Sequence, residues 1–187
     1  MPAPADRLRA AIPVRETSIP TEGLALIASE INAAGDDLTR VMALIGSRAG
    51  PWVEMRHVPA IDELDGWRPR ANLIAYLMRE ALFFPQTFEA MVAHASAHVA
   101  DGEVVVEPLS LRGTLLGEHR LVDIRYRITL RYDGQGRLCR ITGALTPDNV
   151  RQDVITWLRV IDRLGGLGQT PAFPAPIDTG AHSTEAS

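Results

Sequence analysis

Glu54 is the carboxylate of this sequence that is best placed for acid–base chemistry. It lies in Pro51–Val58, where Trp52, Glu54 and Arg56 form one row of a pattern that alternates like a β-strand. If this row faces an apolar pocket, desolvation raises the pKa of Glu54 towards that of a useful general base. If the row faces water, Glu54 simply pairs with an arginine. The residues leave both interpretations open.

Two histidines and a cysteine are the other groups that could do chemistry. His94 and His98 are four residues apart, a spacing that can place two imidazoles of one helix on a metal. Neither an adjacent Glu nor a third ligand accompanies them, so a solvated helix surface is favoured and we predict no metal site. Cys139 lies in a predicted strand, which favours an inert, packed thiol over a nucleophile.

The composition excludes several classes of function. All 19 basic residues are arginine, so a Schiff-base lysine, a lysine general base and a Walker-type phosphate lysine are impossible. The formal net charge of -4 gives no electrostatic footprint for nucleic acid or an anionic membrane. A single cysteine excludes an intrachain disulfide and favours an intracellular, cytoplasmic protein. No apolar stretch is long enough for a spanning helix.

Elements that would position these residues follow from the apolar spacing. Thr21 offers an N-cap for the first helix, and Gly35 suits its C-terminal end. The strand at Pro51–Val58 is followed by a polar loop over Ala60–Pro69. The predicted helical stretches are Thr21–Ile45, broken at Ala34-Gly35-Asp36, then Arg70–Phe84, Pro85–Val99 and Asn149–Leu164.

The block Glu103–Thr146 predicts a β-meander. Its middle strand alternates between an apolar row and a charged row, which requires one buried and one wetted sheet face. Pro108 cannot donate a ladder hydrogen bond, so it predicts an edge position or a bulge that bends the sheet. The predicted strands are Glu103–Leu116, Arg120–Tyr132 and Arg137–Thr146. The apolar row consists of Val122, Ile124, Tyr126, Ile128 and Leu130, and Arg125, Arg127 and Arg131 belong to the opposite row.

The length and composition fit one domain with tails. Residues 1–18 contain prolines and scattered charge and are predicted to be a flexible arm. Residues 19–166 form the predicted α+β domain. Residues 167–187 are rich in Pro, Ala, Ser, Thr and Gly and are predicted to be a disordered tail.

Three passages resemble the SnoaL-like branch of the nuclear transport factor 2-like superfamily. Ala28–Leu38 is similar to the first helix of that branch and its "n-a-g-D" break, and Trp52–Met55 is similar to the strand that follows. Ala100–Val106 and Tyr132–Leu138 are similar to its "a-D-G-x-x-V" and "d-G-x-I" turns. The resemblance covers roughly residues 21–148, and it depends on the order and spacing of motifs that are individually loose.

This resemblance implies a cone-shaped, cystatin-like roll. A curved antiparallel sheet wraps around the N-terminal helices, a C-terminal helix is added, and an apolar pocket opens at the wide end. Relatives include ketosteroid isomerases, polyketide cyclases, scytalone dehydratase, limonene epoxide hydrolase and non-catalytic binding domains. The fold does not choose among these activities, so the site residues must.

Family motifs compared with this chain are incomplete. The Arg-x-Asp of epoxide hydrolysis is missing from the matching stretch Val106–Ser110. Glu54 falls where the resemblance places the isomerase base, yet the first helix has no tyrosine for an oxyanion hole. Asp148 falls near the cyclase acid after the last strand. Asp148 or Asn149 can instead be the N-cap of the following helix.

The resemblance therefore implies a cofactor-free isomerase, cyclase or dehydratase that acts on a small hydrophobic carbonyl or polycyclic substrate. The alternative is a non-catalytic module of the same fold that binds a small ligand or a protein. Predicted partners are a small apolar ligand and a second copy in a homodimer, with no nucleic acid and no membrane. The predicted catalytic residues are Glu54 and Asp148, and the predicted pocket residues are Trp52, Arg56, His57, Tyr76, Phe84 and Tyr126.

Overall fold

The structure, a computed structural model, describes residues 19–58, 60 and 65–145, without the side chains of residues 79, 80, 82–84 and 145. The predicted arm over residues 1–18, the helix over Asn149–Leu164 with Asp148, and the tail over residues 167–187 lie outside the described residues. The side chain of Phe84, a predicted pocket residue, is also not described.

Three helices and six strands are formed within the described part of the chain. The helices are α1 (Thr21–Ala33), α2 (Leu38–Ser47) and α3 (Arg70–Gln86). The strands are β1 (Ala49–Val58), β2 (Gly66–Pro69), β3 (Phe88–Ala100), β4 (Glu103–Leu115), β5 (Arg120–Tyr132) and β6 (Leu138–Leu145).

A single sheet contains all six of these strands in the order β2-β1-β6-β5-β4-β3. The antiparallel pairs β4–β5 and β5–β6 were predicted as a meander, β3 adds a further antiparallel pair with β4, and β1 runs parallel to β6. The sheet is therefore mixed. A shift of register between Val106 and Leu109 marks a bulge in β4 at Pro108, which confirms the bulge predicted there.

The core lies between one face of the sheet and the helices. Helix α1 packs across β3 and β4, and α3 packs against β1 and α2. We call the sheet face that carries these contacts the inner face and the opposite one the outer face. Residues that are almost fully buried in this core include Leu24 and Ile31 of α1, Val53 of β1, Leu73 of α3, Val104 of β4, and Ile124 and Leu130 of β5.

The predicted fold class, an α+β fold with a curved sheet around N-terminal helices, is confirmed for the described residues. In β5 the residues Val122, Ile124 and Leu130 are buried on the inner face, as the alternation predicted. The helix break at Ala34-Gly35-Asp36 is also confirmed, although Asp37, whose side chain accepts from the Arg40 N–H at 3.0 Å, caps the second helix.

Three local predictions are wrong. Pro85–Val99 was predicted to be a helix, but Phe88–Ala100 forms β3 because its small residues are buried in alternation against α1. The end of the predicted loop Ala60–Pro69 forms strand β2, whose backbone pairs with β1. Thr21 is the first helical residue, and the N-cap is Pro20 with no side-chain hydrogen bond.

Candidate functional site

The side chains of β1 divide between the two sheet faces. Val53 and Met55 are buried in the core, and His57 follows them on the inner face by the two-residue alternation of a strand. Trp52, Glu54 and Arg56 therefore lie on the outer face. The sequence predicted this alternation, and the structure determines which row meets the helices.

Glu54 lies in an ion-pair cluster on the outer face. Its Oε1 accepts hydrogen bonds from Arg56 Nε at 2.9 Å and Arg56 Nη2 at 2.7 Å, and its Oε2 accepts from Arg140 Nε at 2.7 Å. Register brings Arg140 beside Glu54, since the two residues are Cα partners in the β1–β6 pair. Glu54 is only 5% exposed, and the charge-assisted hydrogen bonds from the two arginines hold both of its carboxylate oxygens in place.

These contacts set the acidity of Glu54. Burial raises the pKa of the carboxyl group, but the hydrogen bonds and positive charges of Arg56 and Arg140 outweigh it, and the net pKa is lowered. A lowered pKa makes a carboxylate a weaker base. The environment thus favours the ion-pair interpretation of Glu54, and its role as a catalytic base stays a prediction.

His57 and Asp65 form a polar pair at the end of β1. The His57 Nδ1 lies 2.6 Å from Asp65 Oδ1, and both side chains are about three-quarters buried, at 21% and 23% exposure. The ring also lies close to Gly143 of β6, because a Cβ atom added there would be 3.5 Å from His57 Cδ2. The carboxylate fixes the orientation of the imidazole, as in many acid–base sites.

Arg68 of β2 brings a positive charge to the inner face. It is opposite Val53 in the β1–β2 register and only 5% exposed. Its Nε lies 2.9 Å from Met55 Sδ, and its guanidinium carbon is 5.3 Å from the centre of the Tyr76 ring. The side chain of Arg68 therefore extends along β1 to Met55, the residue that precedes His57 on the inner face.

The predicted pocket residues do not all share one face. His57, Tyr76 and Tyr126 lie on the side of the sheet that the helices cover, with both tyrosines partly buried against the core. Trp52 and Arg56 lie on the outer face with Glu54. Contact of these side chains with a ligand stays a prediction.

Tyr132 is a polar group that the sequence did not single out. It is 2% exposed, and its hydroxyl has no hydrogen-bond partner among the described residues. Burial raises the pKa of this phenol, with smaller and opposed effects from the charges of Arg48 and Glu30. The phenol therefore stays protonated and packs as a core side chain.

The remaining candidates lie apart from this site. His94 is on the strand β3, not on a helix, and its Nδ1 lies 3.0 Å from Asp36 Oδ1 in an exposed pair. Burial raises the pKa of the Cys139 thiol, whose Sγ donates to the Arg131 carbonyl oxygen at 3.3 Å. Among the described residues, no group of His, Cys, Asp or Glu has an arrangement that could hold a metal ion.

The sequence missed Asp65 and Arg68 as site residues. Both lie in the segment Ala60–Pro69 that was predicted to be a polar loop, where charged residues normally meet water. The available signal was the alternation of Trp67, Arg68 and Pro69, which matches a short strand. No helix in the described part of the chain is long and apolar enough to cross a membrane.

Several solved structures are similar to this chain in the arrangement of their elements. They include a steroid delta-isomerase from Pseudomonas aeruginosa with 18% identity, covering 81% of this chain and 98% of that chain, at a TM-score of 0.48. Another is an NTF2-like protein of unknown function from Mesorhizobium loti, with 14% identity over 70% of this chain and 98% of that chain, at a TM-score of 0.46.

A third is an LEH-like epoxide hydrolase from M. tuberculosis, with 13% identity over 78% of this chain and 96% of that chain, at a TM-score of 0.44. These likenesses concern the arrangement of elements and assign no substrate to this chain. No protein-family model matches the sequence. No curated protein matches it either.

Proposed function

We propose that the chain is a cofactor-free enzyme that transfers a proton on a small hydrophobic carbonyl or polycyclic substrate, as in an isomerase, cyclase or dehydratase. The observation that carries this proposal is the His57–Asp65 pair, with Nδ1 and Oδ1 2.6 Å apart, on the same sheet face as the buried Arg68. A base and a cation on one apolar face are the two groups that enolisation requires.

The contacts give each group a role. Asp65 accepts the hydrogen bond of His57 Nδ1–H, so the lone pair of the neutral ring is at Nε2. That nitrogen removes a proton from the carbon next to a substrate carbonyl, and the electron pair moves to the carbonyl oxygen. The guanidinium of Arg68 stabilises the resulting oxyanion. With a β,γ-unsaturated ketone the product of this step is a dienolate, and return of the proton to its γ carbon re-forms the carbonyl and completes an isomerisation.

The surroundings strengthen this chemistry. Val53 and Met55, which precede His57 on the inner face of β1, are buried, and the Tyr76 ring covers the Arg68 guanidinium. In such a low-dielectric setting a fixed positive charge interacts more strongly with a developing oxyanion than it does in water. An apolar polycyclic ketone also gains affinity from burying its rings.

The test is exchange of the acidic protons of β-tetralone in deuterium oxide, followed by NMR. We expect wild-type protein to exceed the buffer rate, and His57→Gln to lose about 100-fold or more of that excess. His94→Gln is the matched control, since His94 also pairs with an aspartate, at 3.0 Å, but in an exposed position. Exchange in wild type at the buffer rate, or equal rates in wild type and His57→Gln, would overturn the proposal.

Glu54→Gln separates the two candidate bases in the same assay. If His57 is the base, Glu54→Gln retains the exchange rate once its stability loss is allowed for, because Glu54 lies on the outer face. Loss of exchange in folded Glu54→Gln with full exchange in His57→Gln would transfer the role to Glu54. Saturable binding of β-tetralone without exchange would instead identify a binding module.

A further inference from the structure

The outer face carries a cluster of arginines that the proposed enzyme activity does not use. Arg131 and Arg140 are Cα partners in the β5–β6 pair, and Arg140 is in turn the partner of Glu54 in β1. Arg56 follows two residues after Glu54 on the same face, and Trp67 is opposite Glu54 in β2. We call Arg56, Arg131 and Arg140 the arginine patch.

Charge within the arginine patch is not balanced. Glu54 is the carboxylate that Arg56 and Arg140 share, and it is fully engaged by three hydrogen bonds. The guanidinium of Arg131 forms no hydrogen bond or ion pair within the part of the chain that the structure describes. Two positive charges are therefore in excess, and like charges on neighbouring strands destabilise each other unless an anion comes between them.

Tryptophans extend the arginine patch. Trp52 and Trp67 are both partly exposed on the outer face, Trp52 two residues before Glu54 on β1 and Trp67 opposite Glu54 on β2. Trp and Arg are the residues most enriched where protein interfaces concentrate their binding energy. Among the described elements no helix covers this sheet face, and an uncovered face suits a protein segment better than a small molecule, which needs a concave pocket.

We propose that the arginine patch and its two tryptophans dock an acidic segment of another protein, through Asp or Glu side chains. Guanidinium groups bind carboxylates through paired N–H donors, and Arg56 directs two of them to a single oxygen of Glu54. A second copy of this chain is disfavoured on this surface, because symmetric pairing would place arginines against arginines. The net charge of -4 disfavours a long polyanion such as a nucleic acid.

The test is a titration of the full chain with fluorescein-labelled hexaglutamate, with hexaglutamine as the uncharged control, followed by anisotropy at about 50 mM salt. We expect hexaglutamate to bind and hexaglutamine not to bind. Arg131→Glu should raise the Kd about tenfold or more, because it removes the uncompensated charge without touching the Glu54 hydrogen bonds.

Arg112→Glu is the matched control. Arg112 is exposed on the outer face and, within the described ranges, also has no ion pair. Its partner in the β4–β5 register is Asp123, and Asp123 lies about 25 Å from Arg131 along β5. The Arg112→Glu change should shift the Kd less than about twofold if the arginine patch is the site. Equal weakening by both variants, or no binding by wild type, would overturn the proposal. Tighter binding of hexathymidylate than of hexaglutamate would overturn the acidic-protein assignment.

Discussion

The side-chain amide of Asn32 pairs with both backbone groups of Ala97. Its Oδ1 accepts from the Ala97 N–H at 2.6 Å, and its Nδ2 donates to the Ala97 carbonyl oxygen at 2.8 Å. Strand β3 is at an edge of the sheet, so Asn32 takes the place of a neighbouring strand at this point. The Gly35 carbonyl oxygen extends this pairing, since it accepts from the Ala95 N–H at 2.7 Å. The end of α1 thus covers part of the β3 edge.

Asn32→Ala should lower the free energy of unfolding by about 1–3 kcal/mol, because it leaves a donor and an acceptor of Ala97 without partners. Urea denaturation followed by circular dichroism measures the change. Ser29→Ala is the control, an exposed polar residue on the same helix, which should change stability by less than about 0.5 kcal/mol. Equal effects of the two substitutions would contradict a specific role for Asn32.

Gly35→Ala should destabilise the fold by about 1–3 kcal/mol, because the new Cβ atom would be 2.6 Å from the Ala95 carbonyl oxygen. Gly46→Ala is the matched control within α2. Its Cβ would meet Ile74 Cγ1 at an ordinary 3.5 Å, and alanine favours a helix, so we expect unchanged or higher stability. Thermal unfolding distinguishes the two, and a neutral Gly35→Ala would show that α1 and β3 can separate at no cost.

These contacts explain why the sequence predicted β3 wrongly. The segment before Gly102 is rich in alanine, which has a high helix propensity, and its larger apolar residues happen to fall at helical spacing. In the folded chain Ala93, Ala95 and Ala97 are buried in alternation beneath α1. Small side chains are needed there because Asn32 and Gly35 approach the strand backbone closely. The alanines of β3 therefore reflect its tertiary contact with the end of α1, which local periodicity in the sequence does not reveal.

Prediction succeeded where the local pattern had one dominant cause. Strand β5 was placed at Arg120–Tyr132 because apolar residues alternate with charged or polar ones from Val122 to Arg131, which is the pattern of a half-buried strand. At Glu54 the alternation was also predicted, but the partner that fixes its chemistry, Arg140, is 86 residues away in the sequence. Such contacts depend on the register between strands that are distant in the sequence, and the local sequence pattern does not predict that register.

Glu54→Gln should cost about 1–2 kcal/mol of stability near neutral pH, a value reduced from that of a fully buried pair because the arginines are partly exposed. The lowered pKa gives the sign of the pH dependence. Glu54 has a pKa of 4.5 in the unfolded chain, and at pH values above this its ionised carboxylate stabilises the fold. This contribution is lost as the pH falls through the lower pKa of the folded state. The difference between wild type and variant should therefore shrink in acid.

Asp123→Asn is the control for that measurement. Asp123 pairs with Arg125 two residues away on the outer face, as Glu54 does with Arg56, but it is more exposed, at 33% against 6% for the Glu54 side chain. Its loss should cost about 0.5 kcal/mol or less. The measurement is urea denaturation at several pH values. If Glu54→Gln lowers the free energy of unfolding no more than Asp123→Asn does, the ion-pair cluster around Glu54 does not stabilise the fold.

Tyr132→Phe should raise the free energy of unfolding by about 1 kcal/mol, because it removes a buried hydroxyl that has no partner among the described residues. Tyr132→Leu is the companion variant. It removes the ring from a site that is 2% exposed and should cost about 2–4 kcal/mol through the cavity it leaves. Chemical denaturation of both variants separates the hydroxyl from the ring. A loss of stability in Tyr132→Phe would mean that the hydroxyl is bonded in solution, and Tyr132 would then join the polar groups to be tested for ligand contact.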